Sequence, residues 1–195
     1  MRANFIHIQP FVQQVIERRV PGAFAEFGVW HATTFMPLAE LARLDGRVIH
    51  AVDSFQGMAA STERDGEAYQ AGALSVGGSQ VFRKLARPYG ETIRLHEGYV
   101  PQVLDEMKDA QFAFVHLDLD QYRPTLESLR WLWPRMAQCG IVAVHDWFPG
   151  RHELAAGAVA DWSHESGVGM TLQTKFNHAI FTKGGLHDRE EPNGS

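Results

Sequence analysis

A chain of 195 residues can bury one sizeable core but not two, and 45% hydrophobic with 21% charged residues is ordinary for a globular domain. Its 18 basic and 23 acidic residues give a net charge of -5, without the basic excess of a nucleic-acid binder or of a protein held on an anionic membrane. A lone Cys139, no secretion signal and no apolar run near the roughly 20 residues that span a bilayer make a cytoplasmic enzyme the expectation.

Apolar residues at helical spacing (Phe5, Ile8, Phe11, Val12, Val15, Ile16) predict a helix over about 9–19, stopped by Pro21-Gly22. Phe5 and Phe11 read as exposed, which points to a possible homo-oligomer. Residues 23–28 read as a short buried strand, followed by the turn Glu26-Phe27-Gly28-Val29-Trp30 and a helix over about 33–44. Glycine in that turn lets the backbone approach a ligand. A second strand over 47–52 ends in Asp53, 25 residues after Gly28, where nucleotide-binding α/β domains hydrogen-bond ribose hydroxyls. A turn-forming role in Asp53-Ser54 is the plainer alternative.

Residues 57–78 are small, polar and glycine-rich, with at most a weak helix over 63–70, and read as a lid with a solvated charged face. Ser79 is placed to cap a helix running to about Arg87. A third strand over 92–96 leads into Glu97-Gly98-Tyr99, and a helix is expected over 101–108.

The run FAFVHLDLD over 112–120 is rich in β-formers and ends in acid, as a buried parallel strand does at its carboxyl edge. Strand alternation would put His116, Asp118 and Asp120 on one side. An amphipathic helix over 125–136, with Trp131 and Trp133 at its core and rim, separates this run from a second acid-tipped strand over 140–146. That strand would bring His145 and Asp146 to the same edge, forming a carboxylate cluster suited to a divalent cation and to proton abstraction. Alternatively, Asp118 and Asp120 cap the next helix or pair with Arg123, and His145 merely supports a ligand. A helix over 154–166 and a hairpin from 170–174 and 177–182 complete one domain over 1–183, before a disordered polar tail over 184–195. His178, on the last strand, reads as a satisfied core histidine. The order predicts an α/β, Rossmann-like three-layer sandwich on a mostly parallel seven-stranded sheet ending in an antiparallel hairpin.

Four segments, PGAFAEFGVW at 21–30, VDSFQGM at 52–58, EGYVPQVL at 97–104 and HLDLDQYRPTLESL at 116–129, followed by CGIVAVHDW, resemble the macrocin-type O-methyltransferases. These are class I, S-adenosylmethionine-dependent and metal-dependent enzymes that methylate sugar hydroxyls of macrolides and aminocoumarins. The resemblance implies that Glu26, Gly28, Val29 and Trp30, with Thr33 in the following loop, line the methionine half of the cofactor. It also implies that Asp53 and Ser54 hold the ribose and that Gly98 and Tyr99 lie near adenine. Asp118 would adjoin the cofactor and ligate Mg²⁺ or Mn²⁺ together with His145 and Asp146, and Asp120 would be the general base. Two departures stand out. His31-Ala32-Thr33-Thr34 replaces the family's small-residue loop, and His145-Asp146 replaces its pair of carboxylates.

Two other classes remain open at this level. His116, Asp118 and Asp120, with distant His145, Asp146 and His152, match a metal-dependent hydrolase. A catalytically degenerate, cofactor-binding methyltransferase fold would explain the altered loop and His145. A nicotinamide enzyme is disfavoured, since no Gly-x-Gly-x-x-Gly follows the first strand. The partner expected is a small-molecule acceptor, with no nucleic acid and no membrane.

Overall fold

The computed structural model describes residues 3–65, 70–148 and 153–184. Helix α1 (Ala3–Glu17) precedes β1 (Ala23–Phe27), α2 (Phe35–Leu44) and β2 (Ile49–Asp53). There follow α3 (Gln80–Ala86), β3 (Ile93–Glu97), β4 (Phe112–Leu117), α4 (Tyr122–Leu132), β5 (Met136–Val144), α5 (Leu154–Ser166), β6 (Leu172–Gln173) and β7 (Ala179–Thr182). The sheet order is β3-β2-β1-β4-β5-β7-β6; β1 to β5 are parallel, and β7 runs antiparallel to both β5 and β6. The chain winds outward from β1 to β3, then crosses back to β4 beside β1. A crevice therefore opens above the carboxyl ends of β1 and β4.

Alternation on the strands divides the core into two layers. Ala25, Phe27, Val115, Leu117 and Val142 pack against Leu126, Leu129, Val159 and Trp162 of α4 and α5. Phe24, Phe114 and Ile141 pack against Ile8, Val12 and Val15 of α1 and Phe35 and Leu38 of α2. No helix among the described residues is long and apolar enough to cross a membrane.

Several boundaries differ from expectation, each for a packing reason. Helix α1 begins at Ala3 and carries Pro10 inside it. A helix-interior proline costs about 3 kcal/mol, but Ile8, Val12 and Val15 are fully buried, and three such side chains contribute on the order of 5–9 kcal/mol. Phe5 and Phe11 are half-buried against this layer rather than exposed, which removes the motive for self-association drawn from them. The helix expected over 101–108 is only a 3₁₀ turn, Leu104–Met107. Its buried Leu104 and Met107 are three residues apart, the spacing that eclipses in a 3₁₀ turn. Strand β4 stops at Leu117, because Asp120 turns the chain with φ 58°, so the expected alternation does not continue to Asp120. Ser79 precedes α3 but does not cap it; its hydroxyl donates to Glu97 Oε2 at 2.6 Å.

The tail lies outside the described residues beyond Gly184, as does His152.

A buried histidine pair joins β2 to β3, with His50 Nδ1 2.9 Å from His96 Nε2 and His96 Nδ1 2.8 Å from Glu106 Oε2. Burial, and then the neighbouring His96, push His50 down to about 4. The unfolded chain, with an ordinary value near 6.5, therefore takes up the proton first as pH falls. Stability from this site is fully present above about pH 6.5 and is lost as pH falls toward 4, on the order of 3 kcal/mol over the window. Urea midpoints should fall across this range in the wild type and fall less in His50→Leu; identical slopes would rule the site out as the cause.

Candidate active site

A cavity of about 280 Å³ occupies the crevice, lined by Gly28, Trp30, Asp53, Ser54, Gly98 and Tyr99 on one side and by Asp118, Asp120 and Gln121 on the other. Met58, Ala59, Leu74 and Val76, from the 57–78 segment, close part of it. Gly28 is required by geometry. At φ 88°, a Cβ there would come 1.9 Å from the Asp118 carbonyl oxygen, so β1 and β4 approach closely only at a glycine.

The Asp53 carboxylate organises the turn after β1. Oδ2 accepts from the backbone N–H of Val29 and of Trp30, both at 2.7 Å, and Oδ1 accepts from Phe55 N at 2.6 Å. Ser54 Oγ accepts from Gln56 N at 3.1 Å and donates to the Gly57 carbonyl at 3.2 Å. Trp30 is 45% exposed and packs against His31, their ring centroids 4.2 Å apart and their planes tilted by 55°. Among the residues expected around the cofactor, Glu26, Val29 and Thr33 do not line the cavity: Glu26 and Val29 are buried, and Thr33 is exposed.

The two acid-tipped strands meet. Ligand atoms of Asp118, His145 and Asp146 all lie within 4.8 Å of one another. His145 Nδ1 is 2.8 Å from Asp118 Oδ1 and 3.2 Å from Asp146 Oδ1. Burial works against charge on His145, but the Asp118 hydrogen bond and the surrounding carboxylates outweigh it and raise the imidazole to about 9. Burial likewise opposes ionisation of Asp118, yet the hydrogen bond from His145 and the nearby histidines hold its carboxyl below the usual range. Asp120 goes the other way. Burial first, then its hydrogen bond with Asp146 and repulsion from Asp118 and Asp146, push it up to about 8.

His116 does not join this cluster. It is fully buried, and its Nδ1 lies 2.7 Å from Glu26 Oε1; the two residues are register partners on β4 and β1. Glu26 is raised to about 7, chiefly by burial and against the His116 contact, and its Oε2 is buried without a hydrogen-bond partner. His178 is the satisfied core histidine expected.

Two residues of this site escaped the sequence. Asp65, expected on a solvated lid face, is 2% exposed; its Oδ1 accepts from Tyr122 N at 2.7 Å, capping α4, while Oδ2 accepts from Thr62 N at 2.8 Å and Thr62 Oγ1 at 2.7 Å. Gln121 accepts from Ala59 N at 3.1 Å and donates to the Ala59 carbonyl at 3.2 Å. Together they clamp the start of the 57–78 segment to the loop carrying Asp118 and Asp120. Asp65 thus satisfies the first N–H of α4. Only the acid just after the weak Glu63-Arg64 pattern hinted at it.

Sheet order, cavity position and acid-tipped strands define the class I methyltransferase architecture. Solved structures with this fold include the O-methyltransferase NovP, 22% identical with a TM-score of 0.75 over 92% of this chain and 79% of that one. The calicheamicin methyltransferase CalS11 is 21% identical, with a TM-score of 0.76 over 93% of this chain and 79% of that one. The profile of the macrocin-O-methyltransferase (TylF) family matches residues 2–183, and the chain belongs to that family. A relative from Streptomyces olivaceus, 8-demethyl-8-(2,3-dimethoxy-alpha-L-rhamnosyl)-tetracenomycin-C 4'-O-methyltransferase, is 28% identical over 86% of this chain and 75% of its own length. Demethyldecarbamoylnovobiocin O-methyltransferase from Streptomyces niveus is 27% identical over 72% of this chain and 58% of its own length. The protein is therefore an S-adenosylmethionine-dependent O-methyltransferase, and the hydrolase reading of His116 with Asp118 and Asp120 is set aside.

Proposed function

We propose that this enzyme methylates a sugar hydroxyl of a glycosylated natural product or of a nucleotide sugar, in the cytoplasm, within one catalytic domain over 1–183. The name of the Streptomyces olivaceus relative, which specifies a rhamnosyl-tetracenomycin, supports the acceptor class. The observation that carries the mechanism is the convergence of Asp118, His145 and Asp146 beside a cavity that Asp118 and Asp120 both line.

In this reading the nucleoside of S-adenosylmethionine lies along Gly28, Trp30, Asp53, Ser54, Gly98 and Tyr99. Glu26, Val29 and Thr33 are assigned to its methionine end by the family resemblance alone, since none of them lines the cavity. Residues 57–78 act as the lid. An alcohol is a poor nucleophile until its proton is removed, and Asp120 stands in the cavity as the group to remove it. Asp118, His145 and Asp146 fit a divalent cation: two carboxylates and an imidazole, all within 4.8 Å. When bound, the cation would lower the pKa of the acceptor hydroxyl.

An imidazole in place of a carboxylate removes negative charge and favours Mn²⁺ over Mg²⁺. Calorimetry should therefore show tighter binding of Mn²⁺, and Asp146→Ala should bind neither ion measurably; metal affinity unchanged in Asp146→Ala would overturn the ligand assignment. Incubation with S-adenosylmethionine and a panel of nucleoside-diphosphate deoxysugars and glycosylated macrolides should yield products heavier by one methylene. Methylation of a non-sugar hydroxyl alone would refute the acceptor class.

A further inference from the structure

We propose that Asp65 is a positioning residue for methyl transfer: by anchoring the 57–65 arm on the loop over 118–122, it fixes the turn that presents Asp120 to the cavity. This rests on the reading that Asp120 is the general base.

Asp120 sits at φ 58°, a left-handed conformation that a non-glycine residue keeps when its surroundings hold it there. Bonds on either side hold it. Ala155 N, in the first turn of α5, donates to the Asp120 carbonyl at 3.0 Å. The N–H of Tyr122, two residues on, donates to Asp65 Oδ1 at 2.7 Å, and between them Gln121 N closes the turn on the Leu119 carbonyl at 2.6 Å. The arm grips Tyr122 a second time. Arg64 lies over its ring, the guanidinium carbon 4.6 Å from the centroid, and shares Asp161 of α5 with the Tyr122 hydroxyl, at 2.6 and 2.7 Å.

A buried carboxylate is costly unless donors meet it, and Asp65 is met by Tyr122 N on one oxygen and by Thr62 on the other. The acid therefore ties two stretches of chain that both face the cavity: Met58 and Ala59 line it from the arm, Asp118, Asp120 and Gln121 from the loop. A helix cap alone would make Asp65 matter for stability; an anchor for Asp120 makes it matter for turnover.

The tests use the full chain. With thymidine-diphosphate rhamnose, a nucleoside-diphosphate deoxysugar, as acceptor, Asp65→Ala should lower kcat by about 10–100-fold and leave KM for S-adenosylmethionine within about twofold. In an Asp120→Asn background the same change should lower kcat by no more than about threefold, since the base it positions is already gone. Asp65→Asn, whose amide oxygen can still accept from Tyr122 N, should recover most of the turnover. If Asp65→Ala does not fold, Asp65→Ser carries the same comparison. Full multiplication of the two losses, or unchanged kcat with lowered stability, would overturn the inference and leave Asp65 a helix cap; wild-type turnover in Asp120→Asn would overturn the base reading instead. Amide hydrogen exchange needs no acceptor: the Gln121 N–H should exchange at least about tenfold faster in Asp65→Ala than in the wild type. Equal exchange at Gln121 would refute the anchoring even if this sugar is not a substrate.

Discussion

Asp120→Asn is expected to lower kcat for methyl transfer by about 10²–10⁴-fold while leaving S-adenosylhomocysteine affinity within about twofold. The amide has the shape of the acid and can accept a hydrogen bond, but it cannot take a proton. Asp120 lines the cavity beside Asp118, on a turn with φ 58° that lifts it off the end of β4. Burial and the Asp146 and Asp118 carboxylates hold it near 8, so it has the basicity to accept a proton at neutral pH once cationic charge enters the cluster. An Asp120→Asn enzyme with wild-type turnover would eliminate Asp120 as the base. A parallel collapse of S-adenosylhomocysteine binding would instead mean that the residue shapes the cofactor wall.

The second large effect is on the turn after β1. Asp53→Ala should destabilise the protein by about 3 kcal/mol or more, and with it S-adenosylhomocysteine binding should disappear. Three backbone N–H groups, of Val29, Trp30 and Phe55, lie within 2.7 Å of its two oxygens. Val29 and Phe55 are buried, so water cannot readily replace the carboxylate there, whereas at exposed Trp30 it can. For a chain of this length such a loss corresponds to a fall in Tm of about 6–12 °C. Asp53→Asn, which keeps one good acceptor, should fall between. A melting temperature within 2 °C of wild type for Asp53→Ala would show that these hydrogen bonds contribute little, roughly the noise of the measurement.

Much of the fold could be read in advance because its signals are local. The apolar runs of β1, β2 and β4, the amphipathic α4 and the punctuation at Pro21-Gly22 and Asp45-Gly46 need no knowledge of distant residues. The fate of α1 was less accessible: the helix expected from about residue 9 begins at Ala3, and only the burial of Ile8 against the sheet shows why it extends past Pro10. Ser79 looked like a cap because its hydroxyl is a good one locally, but Glu97, 18 residues away, competes for it successfully.

The same division runs through the active site. Residue types alone determined that acids would end the fourth and fifth strands and that a glycine would follow the first; the family resemblance added that a histidine stands where a carboxylate is usual. Side-chain period and strand direction are properties of a short stretch of chain, and they suffice for that much. Tertiary structure decided the pairings: His116 turned to Glu26 across 90 residues, Asp65 folded back to cap α4, and His145 set between Asp118 and Asp146. Strand register and loop packing choose such partners, because a hydrogen bond forms only between atoms brought within about 3 Å, and no pattern along the chain records which distant atoms those will be.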